Sequence, residues 1–152
     1  MKLLRINAGD RRAKEKEKLL IYGECIKDMW PQIFEKFLKE YFPAAVCLEA
    51  EHMNMVAFKL ATMIKNIKPK EITVLTVDGS PHCVQLHMMV EEVRKIVENL
   101  SPQTSYKYYV VNKGELIEIP KECIKTSRYL SKIKKLIKTN QNTPVTLRGE
   151  SE

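Results

Sequence analysis

The sequence predicts a three-layer α/β domain with a mostly parallel central sheet. Two observations carry that expectation. Short runs rich in β-branched residues alternate with segments of helical period, and a pair of strands joined by a glycine turn closes the series. The 152 residues are 44% hydrophobic and 30% charged, with five Gly and seven Pro. That is enough for one ordinary core, and it argues against collagen-like, low-complexity and disordered classes.

Residues 2–6, Lys-Leu-Leu-Arg-Ile, form a short first strand closed by Asn7-Ala8-Gly9-Asp10. Asp10 then caps a helix over residues 11–29, in which Leu19, Tyr22, Ile26 and Met29 recur at spacings of three and four. Gly23 weakens that helix and leaves a buried strand over residues 19–22 as the alternative. Pro31 restarts a helix with Ile33, Phe34, Phe37 and Tyr41 on one stripe, and Pro43 ends it.

A strand over residues 44–50 carries Val46 and Leu48. Asn54 opens a helix whose Val56, Leu60, Met63, Ile64 and Ile67 follow the helical period until Pro69 stops it. The Ile-Thr-Val-Leu-Thr-Val run within residues 71–78 is the clearest strand in the chain. Ser80 as cap and Pro81 in the first turn start a helix reaching about residue 100. Its core stripe is Leu86, Met89, Val93, Ile96, Val97 and Leu100.

Residues 106–111 and 115–119 are hairpin strands joined across Asn112-Lys113-Gly114. A final helix spans residues 123–138, with Leu130, Ile133 and Ile137 facing the core. Residues 139–152 form a flexible polar tail, so residues 1–138 make one domain. The whole pattern is that of a Rossmann-like doubly wound sheet with helices on both faces.

Ligands of such sheets bind at the carboxyl ends of the strands. The loops that matter are therefore residues 7–10, 49–52 and 78–83. The third is the most informative. Asp78 ends a strand, Gly79 permits a tight turn, Ser80-Pro81 starts a helix, and His82-Cys83 fills its first turn. A cysteine there feels the partial positive charge of the free backbone amides, which favours thiolate.

Cys83 and His87, four apart, share a helix face. All three histidines fall between positions 52 and 87. If the second and third strands are neighbours, Glu51, His52, His82, Cys83 and His87 converge at one edge of the sheet. Two chemistries fit that set. One is a zinc or iron site. The other is a Cys83 nucleophile with His87 or His82 as base, oriented by Asp78 or Glu51. The plainer reading is a half-buried Cys83 beside a surface His87. Whether Cys25 and Cys47 join the site is left open. No CxxC pair exists among Cys25, Cys47, Cys83 and Cys123, so compact zinc and redox motifs are missing.

Asn7, Gly9, Arg11 and Arg12, together with Ser80 in the third loop, are candidate ligand-binding residues. A glycine turn entering a helix with two arginines can hold a phosphate or carboxylate of a small molecule. Neither GxGxxG nor a Walker A sequence is present. Val84 and Met88 lie on the side of their helix that carries Glu91, Glu92 and Lys95, which suggests a homodimer or assembly contact.

Basic residues outnumber acidic ones 26 to 19. Most of that excess lies between positions 121 and 138, where Lys125, Arg128, Lys132 and Lys135 form one line along the helix. Such a helix can lie along nucleic-acid phosphates or an anionic membrane. No stretch is long and apolar enough for a membrane span, and the charged start lacks a signal-peptide core, so a cytoplasmic location is expected.

The leading functional expectation is a thiol-based or metal-binding site built on Cys83 and the histidines. A nucleic-acid module using the basic helix and an assembly subunit are the alternatives.

Overall fold

The computed structural model describes residues 1–141; the expected tail beyond that point lies outside the described residues. Contacts divide the chain into two compact units, Met1–Lys121 and Glu122–Glu152. The first contains the entire sheet.

The centre of the fold is the run over residues 19–22, and of its two readings the buried strand is the one that forms. Lys18–Gly23 is a strand, β1, and not part of a helix over residues 11–29. The preceding helix, α1 (Arg11–Lys16), stops at Glu17, which turns the chain in the left-handed region with φ 58°. β1 pairs in parallel with β2 (Phe42–Val46) on one side and β3 (Glu71–Val77) on the other. A strand flanked on both edges and covered on both faces is apolar throughout, so Leu19 to Tyr22 show no two-residue alternation.

The sheet order is β2-β1-β3-β4-β5. β4 (Ser105–Asn112) continues the parallel set, and β5 (Glu115–Ile119) returns antiparallel to it. The hairpin between them turns on Lys113 and Gly114, both at positive φ (49° and 82°). Two positive-φ residues match the right-handed twist of the flanking strands.

One face of the sheet is covered by α2 (Ile26–Met29) and α3 (Pro31–Leu38). Ile26, Ile33 and Phe34 pack there on Leu20, Tyr22, Ala45, Leu75 and Val111. α4 (Met53–Ile67) and α5 (Pro81–Val97) pack against each other, and α5 reaches Thr76 and Tyr108 on the opposite face. The three-layer, mostly parallel α/β architecture is therefore present.

Several local expectations change. Residues 2–6 are not a strand. Leu3–Arg5 is a single 3-10 turn, and only Lys2 bridges to Ala45. Leu3 and Ile6 are buried all the same, which accounts for their apolar character. α3 ends at Leu38, and Pro43 lies inside β2, which pairs with a named strand on one edge only. A proline is tolerated in such an edge strand.

α5 ends at Val97, short of Leu100, and Ile96 within it is turned to solvent; both are exposed, while Leu86, Met89, Val93 and Val97 are buried. The final helix is two helices, α6 (Lys121–Ser127) and α7 (Leu130–Asn140), separated by Arg128 and Tyr129. α7 buries no residue, so Leu130, Ile133 and Ile137 are not a core stripe.

Candidate functional site

Parallel strands deliver their carboxyl ends, and the loops that follow, to one side of the sheet. β1 leads into α2 on one face, whereas β3 leads into α5 on the other. Chains that diverge in this way leave a crevice between them. It is lined by Gly23, Glu24 and Cys25 after β1, by Val46, Cys47, Leu48 and Glu49 after β2, and by Val77, Ser80, His82, Cys83 and Leu86 around the start of α5. Its volume is about 60 Å³.

Three of the chain's four cysteines thus line one small cleft. All four are free thiols. Each of the three follows a different strand. Gly23 adjoins Cys83 across the cleft: a Cβ built there would lie 3.7 Å from Cys83 Sγ, in ordinary van der Waals contact. Ser80 caps α5 by accepting the Cys83 N–H at 3.4 Å, which holds Cys83 in the first turn. Burial pushes the Cys25 thiol pKa up, and the neighbouring Cys47 and Cys83 add to that rise, with Glu24 and Asp28 behind them.

The histidines separate. His82 lines the cleft and is half-buried. His87 lies beneath it in the core and is only 2% exposed. Its Nε2 shares a 2.8 Å hydrogen bond with Thr76 Oγ1 of β3, its Nδ1 is buried without a partner, and its ring stands beside Tyr108. Burial lowers its pKa to about 4, which keeps the imidazole neutral. His87, expected as a base or metal ligand beside Cys83 and on the plainer reading as a surface residue, is therefore neither exposed nor in the cleft: the helical period that aligns it with Cys83 also turns it onto β3.

His52 is exposed at the cap position of α4, and Glu51 accepts the Cys47 N–H at 2.9 Å. Asp78 is exposed, with its backbone N–H bonded to Val111 O. Glu51, His52, Asp78 and His87 are not among the residues lining the cleft. Among the described residues, no group of three or more His, Cys, Asp or Glu side chains is arranged to hold a metal ion. The convergence expected of Glu51, His52, His82, Cys83 and His87 does not occur: of the five only His82 and Cys83 line the cleft, while Glu51 accepts the Cys47 N–H, His52 is exposed at the start of α4 and His87 is buried against Thr76.

The arginine loop is elsewhere. Arg12 stacks over Phe42 at the start of β2, the far end of that strand from Cys47. The chain's own groups occupy the places offered to an anion. Asp10 accepts the Arg12 and Ala13 N–H groups and pairs with the Arg12 side chain, Arg11 pairs with Glu15, and Gly9 N–H bonds Asn7 Oδ1.

On α5, Val84 is exposed and Met88 half-buried. The line of Lys125, Arg128, Lys132 and Lys135 is broken, since Lys125 lies on α6 and Arg128 between the two helices. Lys132 Nζ sits 4.5 Å from the centre of the Tyr129 ring. No described helix is long and apolar enough to cross a membrane.

Residues 13–146 match the family described as Rossmann-like domain. The chain belongs to that family. No curated protein and no solved structure matches it. In this Rossmann-like domain the cleft lies at the carboxyl ends of β1, β2 and β3, and cysteines line it.

Proposed function

We propose that the cleft is a thiol-based site for a small molecule, with Cys83 as the reacting sulfur. One observation carries this reading: Cys25, Cys47 and Cys83, from three separate strand-end loops, line a single crevice of about 60 Å³ at the diverging chains. Cys83 lies in the first turn of the 17-residue helix α5, where the positive end of the helix dipole favours a negative group, although the Cys83 N–H itself is held by Ser80 Oγ. His82, which lines the same cleft, is the imidazole available as a base. His87 serves the fold beneath them. Cys25, whose thiol pKa is raised, ionises less readily than a free cysteine. The small volume limits what enters to a few atoms of substrate, with the remainder outside.

Timed alkylation with iodoacetamide, read by peptide mass mapping, tests this assignment. Cys83 is expected to react severalfold faster than Cys25 and faster than Cys123, which is exposed on α6. A Cys83 that reacts no faster than Cys123 contradicts the proposal. Stoichiometric zinc or iron in protein purified without an affinity tag, lost in Cys83→Ser, would replace the thiol reading with a metal site.

A further inference from the structure

α7 (Leu130–Asn140) has a distribution of side chains that its own unit does not use. At 100° per residue, Leu130, Ile133, Leu136 and Ile137 fall on one arc, and Lys132, Lys134, Lys135 and Lys138 fill the opposite side. Lys132 and Lys134 border the apolar arc on its two flanks. Leu130 is 78% exposed, Leu136 and Ile137 55% each, and Ile133 is half-buried. From Cys123 through Arg148 the sequence contains no acidic residue.

We propose that α7 docks in the plane of an anionic lipid surface, with the Leu/Ile arc in the acyl boundary and the lysines among the headgroups. The charge distribution selects this occupant. A nucleic acid would neutralise the lysines but leave Leu130, Leu136 and Ile137 in water. Tyr129, the aromatic neighbour available for stacking on bases, already holds Lys132 over its ring. A second copy of the helix would cover the apolar arc but oppose two lysine-rich flanks of the same sign.

Protein grooves draw their binding energy mainly from Trp, Tyr and Arg, and lysine is depleted from their centres. α7 contains none of those three residues and four lysines. A bilayer suits what is present, because Leu and Ile enter the boundary while the long lysine stems reach back to the anionic headgroups. The contact lies in the membrane plane, since the helix is far too short to cross it.

Flotation of the full-length protein with vesicles provides the test. Binding is expected to vesicles of phosphatidylcholine with phosphatidylserine and not to phosphatidylcholine alone, with loss at high salt. The double variants Leu136→Glu/Ile137→Glu and Lys134→Gln/Lys135→Gln are each expected to weaken it about tenfold or more. Both pairs lie on a helix that buries nothing, so the fold is preserved, and far-ultraviolet circular dichroism verifies that. Failure to float with anionic vesicles overturns the proposal. So does vesicle binding that Leu136→Glu/Ile137→Glu leaves unchanged, or tight binding of single-stranded RNA that this pair does not alter.

Discussion

His87 shows how one turn of helix divides two roles. Cys83 meets the cleft; His87, four residues on, is sealed against Thr76 and Tyr108 with one ring nitrogen unpartnered. Because burial lowers its pKa from 6.5 to about 4, the unfolded chain binds the proton more readily than the folded one. Its contribution is complete above pH 6.5 and is lost as pH falls through that window, by about 3 kcal/mol at pH 4. Urea denaturation from pH 7 to 4 is expected to show this loss in the wild type and a markedly shallower slope in His87→Gln. Glu71 and Glu91 act in the same direction at lower pH. Burial alone would raise both carboxyls, but Tyr41 and Lys107 for Glu71, and Arg94 and Tyr108 for Glu91, outweigh it and hold them below 4.5. Cys83 and His82 were legible from the Ser80-Pro81 helix start. Cys25 and Cys47 were not, because their place depends on where β1 and β2 end. Once Gly23 and Val46 are recognised as strand ends, both cysteines fall within two residues of one.

Elements respond to the same logic of local conformation. The β4–β5 turn needs left-handed backbone at two adjacent positions, and only Gly114 meets that need without a Cβ. A Cβ on Gly114 would also lie 3.1 Å from Trp30 Cζ3. Gly114→Ala is expected to cost about 1–2 kcal/mol in urea denaturation, whereas Lys113→Asn should cost nothing or gain a few tenths. At the start of α5, Ser80→Ala removes the acceptor for the Cys83 N–H and is expected to cost about 1 kcal/mol. The same variant loosens the turn that holds Cys83, so slower alkylation of that thiol should accompany the lost stability. The hairpin and the α5 start were visible in the sequence because glycine and Ser-Pro act locally. The division between α6 and α7 had no such marker. Arg128 and Tyr129 are ordinary helix residues, with no glycine or proline to announce a break.

For the whole molecule, alternation of strands and helices was sufficient to predict a parallel α/β sheet, but strand identity was not. β1 hides in a helical spacing because both its faces are buried, and the 3-10 turn at Leu3–Arg5 mimics a strand because its leucine is buried without pairing. Hydrogen exchange offers a global test of the order found. Amides of β1 and β3, paired on both edges, are expected to exchange last, and those of β5 and α7 first. Pro43 bears on how molecules meet one another. Alternation along β2 points the Pro43 nitrogen to the same side as the Ala45 N–H, which donates to Met1 O at 3.0 Å. That edge therefore presents no donor at position 43 and an occupied one at position 45. At the other edge, β5 carries Glu115 and Glu118, both exposed. A sheet finished by proline at one end and carboxylates at the other resists templating a stranger's strand, so the fold is protected from fibrous self-association at both of its open margins.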